Sequence, residues 1–129
     1  MDPISNMLTT IRNSLAVNKV SCVLPFSKIN FEIARILKKN EFIEDCSKET
    51  VVDEKFKSIK ILLKYDINST PAITEIKRLS KLGRRLYTGY ADIRVPRFGI
   101  IILSTPKGMM TSAKAKSQKI GGETICSVR

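Results

Sequence analysis

The stretch Gly99-Ile100-Ile101-Ile102-Leu103-Ser104-Thr105-Pro106-Lys107-Gly108-Met109-Met110-Thr111 decides how the second half of this chain is read. Its uninterrupted apolar run, Ile100 to Leu103, predicts a strand buried on both faces. The run breaks into Ser104-Thr105-Pro106-Lys107-Gly108, a tight, hydroxyl-lined turn in which proline stiffens the chain and glycine lets backbone approach a ligand. A short helix follows, with Thr111 or Ser112 as N-cap and Lys114, Lys116 and Lys119 on or near it. A second turn at Gly121-Gly122-Glu123 leads into a last strand over 123–128. Nothing here offers acid–base or nucleophilic chemistry. Hydroxyls, amides and lysines can together grip a phosphate backbone, and Ser104 and Thr105 suit the 2′-hydroxyls and base edges of the shallow RNA minor groove.

Charge points the same way. The 129 residues carry 23 Lys+Arg against 12 Asp+Glu, a net +11 with pI near 9.8. That predicts a polyanionic partner, most often nucleic acid. The charge is lopsided: residues 1–73 hold 11 basic and 9 acidic side chains, residues 74–129 hold 12 and 3. The competing explanation is lysines that only keep a small protein soluble; the lopsided partition favours the polyanionic partner over it. An apolar fraction of 43% and a charged fraction of 27% are those of a folded chain able to bury a core without metals or disulfides.

Catalysis finds no support. There is no histidine, so the usual neutral-pH proton carrier is missing, and no zinc set can be completed around Cys22, Cys46 and Cys126. These dispersed cysteines read as small core residues in a reducing compartment. The adjacent carboxylates Glu44-Asp45 and Asp53-Glu54 sit in or beside a charged turn and read as solvated surface. Pro106-Lys107-Gly108 lacks the P-loop spacing. No cofactor or metal is expected, no run approaches a membrane span, and the start of the chain lacks the apolar core of a signal peptide.

The predicted fold is α/β in the α+β sense, two small domains at 1–67 and 72–129 joined by a linker at 68–71, where Asn68-Ser69-Thr70-Pro71 is polar and proline-closed. The first reads α-β-α-β-β. Asp2-Pro3 signals a helix start, and Ile4, Met7, Leu8, Ile11 and Leu15 recur at helical spacing, leaving Arg12 and Asn13 off the stripe. Residues 20–24 form a strand closed by Pro25. Ser27 is the next N-cap, and Ile29, Ile33, Ile36 and Leu37 mark a second helix with Asn40 as a left-handed C′ residue. Strands follow over 42–46 and 58–65. The second domain reads as mostly antiparallel β with short helices; 73–79 is ambiguous between helix and strand, and 88–98 has no clear assignment. Arg84, Arg85 and Tyr87 can bind phosphates and stack on a base, or be two solvated arginines beside a core tyrosine. Lys28, at the start of the second helix, is placed to meet a phosphate.

The run 99–116, with Ser104-Thr105-Pro106-Lys107-Gly108-Met109-Met110-Thr111 at its centre, resembles the signature of the bacterial-type small-subunit ribosomal protein eight family. Asp2-Pro3-Ile4 with Met7-Leu8-Thr9-Thr10-Ile11-Arg12-Asn13, Glu41-Phe42-Ile43-Glu44, Ser80-Lys81-Leu82-Gly83-Arg84-Arg85-Leu86-Tyr87 and Gly121-Gly122-Glu123-Thr124-Ile125-Cys126 match further blocks in order. The resemblance implies a two-domain protein that binds the central domain of small-subunit ribosomal RNA early in assembly. It assigns the main RNA contacts to Ser104, Thr105, Pro106, Lys107 and Gly108, with Thr111 and Gly121-Gly122-Glu123 as neighbours of the RNA surface. Arg12, Asn13 and Lys28 are the candidates for backbone contacts from the first domain; Arg84, Arg85, Tyr87, Lys114 and Lys116 complete the set. Ribosomal proteins five and seventeen are the implied protein neighbours, and the location is the ribosome of a bacterial cytoplasm or organelle, a plastid included. Family members can also repress their own messenger, so a free RNA-binding translational regulator is the alternative. Leu82 stands where the family has proline, Arg97-Phe98-Gly99 replaces a glycine-hydrophobic-glycine run, and Ser127-Val128-Arg129 replaces an aromatic close.

Overall fold

The computed structural model describes residues 2–50 and 57–129, and the chain divides into two compact units, Met1–Ile73 and Thr74–Arg129. The first is α-β-α-β-β: α1 (Pro3–Ala16), β1 (Ser21–Pro25), α2 (Lys28–Lys39), β2 (Ile43–Thr50) and β3 (Lys57–Leu63). Asp2 caps α1, its Oδ1 accepting from the amides of Ile4 at 2.8 Å and Ser5 at 3.3 Å, with Pro3 as first helical residue. The strands form an antiparallel sheet in the order β1-β3-β2. Alternation along β3 turns Ile59, Ile61 and Leu63 inward. Cys22 and Leu24 of β1 stand opposite Ile61 and Ile59. The buried stripe of α1 is Ile4, Met7, Leu8, Ile11 and Ser14. Asp53 and Glu54, in the expected charged turn, lie outside the described residues.

The second helix is rotated from its expected stripe. Its buried positions are Asn30, Ile33, Ala34 and Leu37, while Ile29 is 46% exposed. A polar residue takes the inner position because the Asn30 side-chain amide donates to the Pro3 carbonyl at 2.9 Å, tying the two helices together. Ser27 occupies the N-cap position without a side-chain capping bond. Asn40 keeps a right-handed φ of −93° and donates through Nδ2 to the Ile36 carbonyl, and it is Glu41, at φ 64°, that turns left-handed. Phe42 N–H then reaches back to the Leu37 carbonyl, closing the helix end. Cys46 departs from the expected core set: it is half-buried, unlike Cys22 and Cys126.

The second unit contains β4 (Ile76–Arg78), β5 (Tyr87–Thr88), a 3-10 turn (Tyr90–Asp92), β6 (Ile100–Thr105), β7 (Gly108–Thr111), α3 (Ser112–Ser117) and β8 (Gly122–Val128). The sheet runs β4-β8-β6-β7, with β5 also on β8, and all pairings are antiparallel. The ambiguous 73–79 segment holds only the three-residue β4, after which Leu79 and Ser80 amides still donate to the Ile125 and Thr124 carbonyls. The unassigned 88–98 segment carries the 3-10 turn, which plants Ile93 in a cluster with Leu103, Met110 and Ala115, Ile101 packing against it. β6 is less evenly buried than its run implies: Ile102 and Leu103 are fully enclosed, Ile100 and Ile101 only half. Gly99, at φ 79°, lies so close to the Val128 carbonyl that no other residue fits.

Asp2→Ala is expected to cost about 1 kcal/mol of stability by orphaning two helix N–H groups, with Asp2→Asn losing much less; urea unfolding of both variants at neutral pH checks this.

Candidate nucleic-acid interface

The β6–β7 hairpin closes between Thr105 and Gly108, leaving Pro106 and Lys107 at its tip. Proline supplies a fixed φ and Gly108 the left-handed φ of 112° that the return requires. Thr105 is nearly buried. Its hydroxyl donates to the Gly108 carbonyl at 2.8 Å and accepts from the Lys107 amide at 3.2 Å. That hydroxyl is thus occupied in shaping the turn, whereas Ser104 is half-buried and Lys107 exposed at the tip.

Two glycines let β8 approach this hairpin and the 88–89 backbone closely. A Cβ on Gly122 would strike the Ser104 carbonyl and lie 3.1 Å from Thr105 Cγ2; one on Gly121 would strike the Thr88 carbonyl and lie 3.0 Å from Gly89 Cα. The start of β8 therefore runs flush against the end of β6 on one side and the Thr88-Gly89 backbone on the other. Register then sets Met109, Ser104, Glu123 and Tyr87 in one row across four strands. Tyr87 is 73% exposed, so the core-tyrosine alternative falls away and its ring is open to stacking.

Glu123 is tied inward. Its Oε2 accepts from the fully buried Ser80 hydroxyl at 2.5 Å and from Arg85 Nη1 at 3.0 Å. Ser80 also accepts from the Leu86 amide, and its carbonyl receives Arg78 Nε, so the carboxylate anchors the whole 78–86 segment. Burial pulls the Glu123 pKa upward, but the Ser80 and Arg85 hydrogen bonds and the charges of Arg85 and Arg78 outweigh it and hold the carboxyl below its ordinary value. Sequence reasoning missed Ser80, whose partner lies 43 positions away and leaves no local pattern.

The remaining candidates scatter more widely. Thr111 caps α3 by accepting from the Lys114 amide at 3.3 Å. Lys114 and Lys116 are exposed on that six-residue helix, Lys119 follows it at a left-handed φ of 58°, and Arg84 is exposed in the turn that Lys81 and Arg84 close by mutual backbone bonds. In the first unit Arg12 and Asn13 lie exposed near the end of α1, and Lys28 is the first residue of α2. Burial pushes all three thiols away from thiolate character, Cys126 to about 12. Among the described residues, no group of three His, Cys, Asp or Glu side chains is gathered to hold a metal ion.

Comparison with known proteins covers nearly the whole chain. The family described as "Ribosomal protein S8" matches residues 2–129. The chain is similar to small ribosomal subunit protein uS8 of Legionella pneumophila (strain Corby), with 45% identity over 128 residues and 98% of each chain covered. The corresponding protein of Paraburkholderia xenovorans (strain LB400) is 46% identical over 130 residues, covering 98% of this chain and 96% of that one. That of Leptospira biflexa serovar Patoc (strain Patoc 1 / Ames) is 42% identical over 129 residues, with the same coverage.

Two outcomes test this geometry. Gly122→Ala is expected to destabilise the second unit, because its methyl meets backbone that cannot rotate away; a melting temperature equal to the parent's would contradict the close approach. Glu123 has a folded pKa below its unfolded value of about 4.3, so its stabilising contribution is complete above that pH and drains away as pH falls through the folded value. Glu123→Gln is therefore expected to lower the urea midpoint at pH 7 and to shrink the midpoint's fall between pH 5 and pH 3.

Proposed function

The chain belongs to the ribosomal protein S8 family, a structural and non-enzymatic component of the small ribosomal subunit, and from this we propose that it binds small-subunit ribosomal RNA directly and helps that RNA assemble. The observation that carries this reading is the flush packing of Gly121-Gly122 on Ser104 and Thr88. It gathers a half-exposed hydroxyl, a lysine-tipped hairpin and an exposed aromatic ring at one end of a sheet, in a unit whose 12 basic side chains face only 3 acidic ones.

Electrostatic attraction and discrimination fall to different groups. Lys107, Lys114, Lys116 and Arg84 supply sequence-independent attraction to phosphate. Ser104, the Gly108 and Gly122 backbones and the Tyr87 ring supply directional contacts that depend on RNA shape. Thr105 acts by holding the hairpin, and Arg85 and Glu123 by holding the 78–86 segment beside it. Arg12, Asn13 and Lys28 are proposed to reach the backbone from the first unit. The finer partners in this reading are a helix of the RNA central domain and ribosomal proteins five and seventeen.

Ser104→Ala is expected to weaken binding to a central-domain rRNA fragment about three- to tenfold, the worth of one directional hydrogen bond, with much less effect on a random duplex. Equal losses on both RNAs would refute the discriminating role. Lys107→Ala should lower the slope of log K against log salt by about one on either RNA, and an unchanged slope would show that the lysine does not touch phosphate. Sedimentation of the native protein apart from small subunits would favour the free messenger-binding regulator instead.

A further inference from the structure

In the first unit's sheet, ordered β1-β3-β2, β2 stands at one edge and pairs with β3 alone among the described residues. Its outer row of backbone N–H and C=O groups has no strand partner there. An eight-residue edge of this kind is a template for another extended chain, which proteins commonly guard with charge. Here the charge is gathered on one side. Cys46 and Lys48 stand opposite Ile61 and Ile59 and share their inward face, while Ser47 and Glu49 fall on the other.

Between this edge and α2 lies an open groove of about 390 Å³ lined by Phe31, Arg35, Lys38, Lys39 and Cys46. Positions 31, 35, 38 and 39 recur at helical spacing, so one stripe of α2 forms its wall. Arg35 precedes Lys38 by three residues and Lys39 by four, and like charges at that spacing weaken a helix. Among the described residues only Asp45 answers them, meeting Lys38 Nζ at 2.7 Å; Arg35 and Lys39 have no carboxylate partner there. Lys48 adds another cation beside the groove, its ammonium 4.7 Å from the Phe26 ring centroid and 5.8 Å from that of Phe31. The helix dipole accounts for Lys38 and Lys39 in the last turn of α2, but not for Arg35 or Lys48.

A strand laid against β2 at the usual spacing of about 4.8 Å would point every second side chain over this groove. Carboxylates at those positions would meet Arg35 and Lys39, and the strand's own amides and carbonyls would complete the edge. A phosphodiester strand carries acceptors along its backbone without a matching row of donors, and the Phe31 ring already holds an ammonium where a base would stack. We propose that β2 and the cationic stripe of α2 dock an extended acidic segment of a partner protein, which adds a strand to the sheet and sets its carboxylates on Arg35, Lys38 and Lys39. This surface goes beyond the RNA-binding reading and uses none of its residues.

The test is amide NMR and fluorescence anisotropy on the full chain. Its probes are a peptide alternating valine and glutamate at the length of β2, an isomer with the two residue types in separate blocks, forms N-methylated at the valines or at the glutamates, and octauridylate. The alternating peptide is expected to saturate, to move amides over 31–39 and 43–49, and to bind at least about fivefold tighter than the block isomer. One methylated form alone should lose binding, because the N–H groups of an extended chain alternate sides. Arg35→Gln with Lys39→Gln, both at exposed positions, should weaken the peptide about tenfold and leave affinity for the central-domain rRNA fragment unchanged. Shifts confined to 74–129, equal binding of the block isomer, or equal binding of the two methylated forms would each overturn the proposal. So would octauridylate moving the same amides as tightly, or an equal loss of rRNA binding in the double variant, since either would make this an RNA face. Absence of rRNA binding in the parent, with the peptide results as expected, would refute the RNA reading and leave the docking edge standing.

Discussion

The closeness of two backbones at Gly121-Gly122 is the constraint on which the second unit's exposed end depends. Carbonyls of Ser104 and Thr88 occupy the space that side chains would need. Once β8 enters in that way, the next residue, Glu123, is pressed into a position only 14% exposed at its side chain. A carboxylate there must be satisfied, and Ser80 and Arg85 satisfy it. Loss of the glycine contact would therefore displace a strand and also leave a charge without its arranged partners.

That coupling separates charges that look alike in the sequence. Arg84 and Arg85 are neighbours of identical chemistry, yet one is exposed in a turn and the other donates through Nη1 to a mostly enclosed carboxylate. Ser104 and Thr105 divide similarly, because a nearly buried hydroxyl must find partners within the hairpin and a half-buried one need not. A basic, hydroxyl-rich composition names the class of partner; burial sorts the residues that meet it from those that hold the others in place.

What was legible in the sequence is what short-range physics controls. Asp2-Pro3 fixed the start of α1, the apolar run fixed β6, and Pro106 with Gly108 fixed the hairpin, since each acts within a few residues. The first unit's α-β-α-β-β order follows from such local patterns. The misreadings have tertiary causes. Asn30 displaced Ile29 from the inner face of α2 because its amide serves a carbonyl 27 residues earlier. Ser80 serves Glu123 across 43 residues. At the end of α2, Asn40 could satisfy a carbonyl without turning left-handed, and the turn passed to Glu41. None of these pairings leaves a periodic trace.

The position of β8 also sets a timetable. It is late in sequence yet pairs with β4, β5 and β6, strands whose first residue is number 76. During synthesis from the N-terminus, the earlier strands of this sheet have no common partner until residues 122–128 are free of the exit tunnel. Most pairings of the second unit thus span long loops and form late, which slows folding. The first unit's sheet, complete by residue 63, carries no such delay. A nascent chain would hold one folded unit and one waiting, basic segment while the ribosome finishes it.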